Sequence, residues 1–224
     1  MRGTIYIVAT PIGNLDDITL RALETLRTVD IIACEDTRHT SKLLFHYDIK
    51  NKLTPYHDHN KEFKTPHLIE AVESGMNVAI VSDAGTPMIN DPGFYLIREA
   101  LKNEIDIVPI PGASSILTAL VGSGLPVDRF SFEGYLPRKK GRTKRLKEIK
   151  ETAVTMIFFE GPHRLVRTLR DLREFLGDRQ AVVARELTKI HEEYIRGDLS
   201  DTISHFGENK PRGEFVIMVK GKDK

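Results

Sequence analysis

Through the first half of the chain, short β-branched runs alternate with helix-patterned segments, and this alternation limits the fold more than any other feature. The runs are TIYIVA (Thr4 to Ala9), DIIACE (Asp30 to Glu35), NVAIVS (Asn77 to Ser82) and IDIVPI (Ile105 to Ile110). Between them, LDDITLRALETLRTV offers Asp16 or Asp17 as an N-cap and places Leu20, Leu23 and Leu26 on one helical stripe. DTRHTSKLLFHY reads as a loop and short helix, LIEAVESG as a helix ending at Gly75, and FYLIREALKN as a further helix. Apolar strands separated by helices predict an α/β domain with a mainly parallel sheet and right-handed crossovers.

After GLPVD the texture changes. RFSFEGY, AVTMIFFE, QAVVARELT, EEYIRGDL and GEFVIMVKG read as strands, and the adjacent pair without a helix between them predicts a mixed sheet. GPHRLVRTLRDLREFLG carries Leu165, Leu169, Leu172 and Leu176 in helical register. The division is expected between 115 and 128, giving domains 1–118 and 119–224. Both fall within the ordinary size range of a folded domain.

Composition excludes several classes. A single cysteine, Cys34, leaves no intramolecular disulfide framework and reads as a buried thiol. The N-terminal apolar run is too short for a secretory core, and the uncharged stretch from Ile107 to Val127 is broken by Pro and Gly. A cytoplasmic protein with no membrane span is expected. Net charge is only +1, yet Gly134 to Lys150 holds eight Lys/Arg and one Glu, or +7, which leaves −6 elsewhere. Such concentration points to a local polyanion contact at Arg138, Lys139, Lys140, Arg142, Lys144 and Arg145. The alternative is a solvated face. Arg164, Arg167, Arg170 and Arg173 either extend that face or solvate one side of their helix.

In open α/β sheets, ligands gather at the carboxyl ends of the strands. Here those ends read TPIGN, CEDTRHT, SDAGTP and PIPGASS, rich in Gly, Pro and small hydroxyls. Neither GxGxxG nor GxxxxGK[ST] is present, so dinucleotide and P-loop readings lack their signatures. Asp83 reads either as a ligand-accepting carboxylate or as a turn aspartate. In YHDHNKE, His57 and His59 lack a third ligand at zinc spacing, so no metal is expected. In SDAGTPMINDPG, Asn90 or Asp91 is the expected cap of the following helix, with Pro92 in its first turn.

The segments YIVATPIGNLDDITLRALETL, EDTRHTSKLL, HDHN, VSDAGTPMINDPG, PIPGASS, FEGYLPRKKGRTKRL, FFEGPHRL, VARELTK and RGEFVIMV occur in that order. Together they resemble the ribosomal RNA small subunit methyltransferase I family, a branch of the tetrapyrrole methylase superfamily. The resemblance implies two α/β domains with a cofactor cleft between them, a homodimer, and S-adenosylmethionine-dependent 2′-O-methylation of a decoding-centre cytidine in 16S rRNA. By motif it implies cofactor contacts at Pro11, Ser82, Asp83, Thr86, Ser114 and Ser115, and from the second domain at Glu160, Leu187 and Gly213. Family members often continue past RGEFVIMV into a small helical region, whereas this chain stops at Lys224. The ribose hydroxyl is a poor acid, so a base or hydrogen-bond acceptor is expected among Glu35, Asp36, Asp83 and His57. Arg38 or the basic cluster would neutralise flanking phosphates. Two other readings are a tetrapyrrole or diphthine-type methyltransferase of the same fold, and a non-catalytic RNA-binding assembly factor.

Overall fold

The computed structural model describes residues 1–90 and 93–223, which form two compact units, Met1–Ser114 and Ser115–Lys224. In the first unit, β1 (Thr4–Val8), β2 (Ile31–Cys34), β3 (Leu53–Pro55), β4 (Val78–Val81) and β5 (Asp106–Ile110) make one five-stranded sheet in the order β3-β2-β4-β1-β5. Every pairing in it is parallel. The crossover helices are α1 (Leu20–Thr28), α2 (Thr37–His46), α3 (Lys61–Glu73) and α4 (Gly93–Lys102).

Side chains alternate across a strand, so the inner strands β1, β2 and β4 each feed two cores. Ile5, Ile7, Ile31, Ala33, Val78 and Ile80 pack with Leu68, Ile69 and Val72 of α3 and Leu96 and Ala100 of α4. Val8, Ile32, Cys34, Ala79 and Val81 pack with Ala22, Leu23 and Leu26 of α1 and Leu44 of α2. Burial on both faces explains the unbroken apolar runs of the inner strands, whereas the IDIVPI run forms the edge strand β5 and is largely exposed. Cys34 is fully buried here, and burial pushes its thiol pKa up.

The start of α1 departs from expectation. Asn14 caps a short 3₁₀ turn at Leu15–Asp17, then Ile18 and Thr19 are extended, and Thr19 caps α1 by accepting the Ala22 N–H at 3.1 Å. Asp16 and Asp17 therefore lie inside the turn rather than capping the helix. Leu20, now the first helical residue, is 86% exposed, whereas Leu23 and Leu26 are buried. Helix α3 begins seven residues before the expected LIEAVESG (68 − 61), with Pro66 inside it. Proline disfavours helix in the residue before it, which hid this extension, and β3 is a short edge strand ending in Pro55. Of the expected caps of α4, Asp91 and Pro92 lie outside the described residues, and Asn90 sits at φ 65°.

The second unit holds α5 (Ser115–Ser123), β6 (Phe130–Gly134), α6 (Arg142–Glu148), β7 (Thr155–Glu160), α7 (Leu165–Leu176), β8 (Gln180–Arg185), β9 (Glu193–Asp198), α8 (Leu199–Glu208) and β10 (Phe215–Val219). Its sheet runs β6-β7-β10-β8-β9, with β6 and β7 parallel and the other pairs antiparallel. Leu165, Leu169, Leu172 and Leu176 of α7, with Leu146, Leu199 and Phe206, cover Met156, Phe158, Val183, Phe215 and Ile217. Helix α5 packs on β8, β9 and β10. A division at 118/119 falls inside α5. The units divide four residues earlier (118 − 114), because this helix makes its contacts with the second sheet.

Candidate active site and basic loop

All five strands of the first sheet point the same way, so their carboxyl ends share one edge. Reading along the sheet order, that edge carries His57 after β3, Glu35 and Asp36 after β2, Ser82 and Asp83 after β4, Thr10 and Pro11 after β1, and Ala113 and Ser114 after β5. Parallel topology thus gathers residues that the sequence scatters over more than a hundred positions.

Three of these loops are fastened to one another. Thr10 and Gly85 exchange backbone hydrogen bonds of 2.9 and 3.0 Å. The Thr10 hydroxyl donates to the Ser82 carbonyl at 3.2 Å, and the Thr86 hydroxyl donates to the Ala113 carbonyl at 3.3 Å. The Ser82 hydroxyl turns inward to the Ala84 and Gly85 carbonyls, each at 3.2 Å. Gly85 has φ 80°, and a Cβ there would lie 3.2 Å from Ile12 Cγ2. At Gly112 a Cβ would meet the Ala9 Cβ at 2.9 Å. The glycines let the loops lie directly on each other, so the backbone at this edge is held before any ligand arrives.

The carboxylates here differ in what they are bound to. Asp36 caps α2: its Oδ1 accepts the Arg38 N–H at 2.8 Å, and the Arg38 guanidinium grips both its oxygens at 3.1 and 2.7 Å. Arg38 therefore holds the Asp36 carboxyl well below the usual carboxylate range, which makes it a weak base. Asp83 Oδ1 accepts the Asp36 N–H at 3.1 Å, which fixes the carboxylate against the start of α2. The His57 ring is oriented by Asn60, whose amide donates to the Pro55 carbonyl at 3.1 Å and lies 3.2 Å from Nε2. His57 Nδ1 is buried with no hydrogen-bond partner. Glu35 is exposed. No cluster of metal ligands occurs among the described residues.

In the second unit, Phe215 pairs with Glu160 on one side and Arg185 on the other. That register brings Glu160, Leu187 and Gly213 to one end of the sheet. Gly213 (φ 90°) leaves room for the Glu186 side chain, which a Cβ would meet at 2.5 Å. Glu186 accepts the Glu214 N–H at 3.0 Å, and Glu186 and Thr188 are both left-handed, so Leu187 sits in a tightly specified turn. Ser115 is the first residue of α5.

Glu160 is nearly fully buried, and both its oxygens are engaged. Oε1 accepts the Gly161 N–H at 3.0 Å; Oε2 accepts the Thr168 hydroxyl at 2.6 Å and pairs with Arg164 at 3.2 Å. Thr168 in turn accepts from Arg142, whose guanidinium also reaches Asp171 at 2.6 Å and the Pro137 carbonyl at 3.2 Å. Arg142 is buried and committed to this network, so it leaves the set of RNA-facing cations expected from the basic run. Lys144 lies 4.0 Å from Glu148, and Arg145 pairs with Glu133 and Glu148. Arg138, Lys139 and Lys140 are exposed and make no ion pair among the described residues. Sequence reasoning passed over Thr10, whose hydroxyl in TPIGN was the available signal, and Tyr135, Thr168 and Asp171, which carried none.

This geometry matches a known class. The family of tetrapyrrole (corrin/porphyrin) methylases matches residues 4–203. Solved structures share the fold: a diphthine synthase at TM-score 0.76 and 16% identity, covering 98% of this chain and 90% of that one. A uroporphyrin-III C-methyltransferase from Thermus thermophilus, complexed with S-adenosyl homocysteine, gives 0.67 and 16%, covering 97% of each chain. Ribosomal RNA small subunit methyltransferase I of Synechocystis is 51% identical over 221 residues, covering 98% of this chain and 79% of the relative. That of Thermotoga maritima is 47% identical over 221 residues, covering 99% of this chain and all of the relative, 100%. The chain belongs to the tetrapyrrole methylase family and, within it, to the ribosomal RNA small subunit methyltransferase I branch. It is an S-adenosylmethionine-dependent methyltransferase.

Proposed function

We propose that the chain methylates small-subunit ribosomal RNA, and that the acceptor is the 2′-hydroxyl of a decoding-centre cytidine in 16S rRNA. Its relatives' names support the RNA class; the motifs TPIGN, EDTR and SDAGTP support the branch's particular target. The reading includes a homodimer working in the cytoplasm. The observation that carries it is the latched strand-end edge, with the Asp83 carboxylate held there by the Asp36 N–H.

The donor set suits S-adenosylmethionine. Asp83 offers a carboxylate oxygen to an ammonium or hydroxyl, and the turns at Pro11 and Ser114 offer backbone groups to the adenosine. Ser82 and Thr86 act by holding those turns, because their hydroxyls donate to loop carbonyls. Ser115, Glu160, Leu187 and Gly213 are carried over as cofactor contacts by motif, and Glu160 fixes the Gly161 turn through Oε1. When bound, the sulfonium supplies an electrophilic methyl group and leaves as a neutral thioether. The chain's task is then orientation of the ribose oxygen, an effect worth up to roughly 7–11 kcal/mol. Of the proton-accepting candidates, Asp36 is the poorest, which leaves Glu35, Asp83 and His57. Arg38 is bound to Asp36 yet exposed, so its outer edge faces solvent and any phosphate there.

Incubating the protein with labelled donor and unmodified small subunits, then mapping the product, tests the reading. Transfer to one cytidine ribose is expected. Transfer to a tetrapyrrole with none to RNA would overturn it, and binding of RNA without transfer would favour an assembly role.

A further inference from the structure

The second unit contains a cleft of about 870 Å³ beside the Glu160–Thr168–Arg142 network. It is lined by Tyr135, Leu136, Pro137, Arg138, Glu160, Gly161, His163 and Arg164. Tyr135 follows β6 and is 56% exposed, the outer member of an aromatic row. Phe132 meets Phe159 edge-on at 4.9 Å, and Phe159 meets Tyr135 at 5.7 Å. The row places a partly exposed phenol ring of the cleft lining on firm apolar support. Burial against it pushes the Tyr135 hydroxyl pKa up, so the ring stays neutral.

The lining residues that follow Tyr135 are fixed as well. Arg164 donates to the Leu136 carbonyl at 2.5 Å, and Arg142 donates to the Pro137 carbonyl at 3.2 Å. Residues 136 and 137 are thus tied to α7 through the Glu160–Thr168–Arg142 network, while Arg138 beside them is left exposed. Gly161, another lining residue, faces open space, since a Cβ there would meet nothing within 4 Å. An aromatic face, an apolar wall and unpaired cations within a few residues form the arrangement that takes a stacked base with its phosphate.

We propose that this cleft binds one unpaired nucleotide of the RNA substrate, with its base stacked on Tyr135 and its phosphate met by Arg138 and His163. The inference rests on the RNA reading above. It commits to RNA rather than to the donor's adenosine because the cations at the rim, Arg138 followed by Lys139 and Lys140, call for a phosphate, which the donor lacks. The nucleotide held here selects the RNA strand by stacking rather than by base-edge contacts.

The test compares Tyr135→Ala, Tyr135→Phe and Arg138→Ala with the wild type, using small-subunit RNA and, separately, the methyl donor as titrants. Tyr135→Ala should weaken RNA binding about 10- to 100-fold, the range for losing one stacked base, without changing its salt dependence or donor affinity. Tyr135→Phe should bind like wild type, which separates stacking from a lost hydroxyl contact, and its melting temperature controls for folding. Arg138→Ala should reduce the salt slope by about one phosphate contact. Equal RNA affinity in Tyr135→Ala overturns the proposal. A loss of donor affinity in that variant instead assigns the cleft to the donor's adenosine, and also overturns it. In either case wild-type methyl transfer to the RNA still stands or falls separately, so the two readings remain distinguishable.

Discussion

Asp83 sits where three backbone facts meet: a strand end, a latched loop and a neighbouring N–H. The Asp36 amide takes Oδ1, so the carboxylate is oriented, and no cation pairs with it among the described residues. A charge-assisted hydrogen bond from a ligand ammonium or hydroxyl to Oδ2 would be worth roughly 1.5–3 kcal/mol. Asp83→Ala should therefore weaken donor binding about 10- to 100-fold by calorimetry, with little effect on RNA affinity. Unchanged donor binding would return Asp83 to the role of a turn residue. Much of this was readable beforehand, since SDAGTP at a strand end already marked Asp83. What the sequence hid was the state of its neighbours. Asp36 looks like an equal partner in EDTR, but the arginine two residues on occupies it. Glu160 reads as a free lining carboxylate, yet both its oxygens are already bound within the second unit. Such pairings depend on rotamers and long-range packing, which leave no periodic trace.

At the level of elements, the parallel strands and the α7 stripe were legible because burial imposes a regular period on them. Helix starts were less so. Thr19, not an aspartate, caps α1, because two extended residues separate the 3₁₀ turn from the helix. The basic run shows the same limit more sharply. It reads as a uniform cationic stretch, but its members divide between solvent and core. Arg142 at the start of α6 reaches inward to Asp171 and Thr168, while Arg138 to Lys140 stay outside. Removing Arg142 strands a partly buried carboxylate and frees the Pro137 turn. Arg142→Ala should cost roughly 2–4 kcal/mol of stability, near the low end for breaking a buried pair because Asp171 is partly exposed. Denaturant melts would show the loss. Arg138→Ala should leave the midpoint where it is. Equal stability in both variants would mean that the network does not anchor α6.

Across the whole molecule, charge is the property that the RNA reading uses most. A net charge of +1 gives no general attraction to a polyanion, so any attraction must come from a local patch. Eight cations in Gly134 to Lys150 suggested a large one. Folding makes it smaller. Arg142 is buried, and Arg145 and Lys144 share Glu148, with Glu133 also on Arg145. The unpaired tip is Arg138, Lys139 and Lys140, three consecutive cations on a loop whose base is pinned by Arg142 and Arg164. Pinning matters because a phosphate contact made by a fixed loop loses less conformational entropy than one made by a free tail. The triple change of these three residues to Ala removes at most three phosphate contacts. The slope of log affinity against log salt should then fall by about 2 to 3, since each contact contributes roughly 0.7–0.9. Affinity at low salt should drop steeply and converge toward wild type as salt rises, while donor binding stays constant. A similar triple change at Lys144, Arg145 and Lys147 should alter the slope less, because carboxylates already neutralise the first two. If the two triple variants behave alike, the RNA senses total charge rather than this loop, and the basic tip loses its special place in the site.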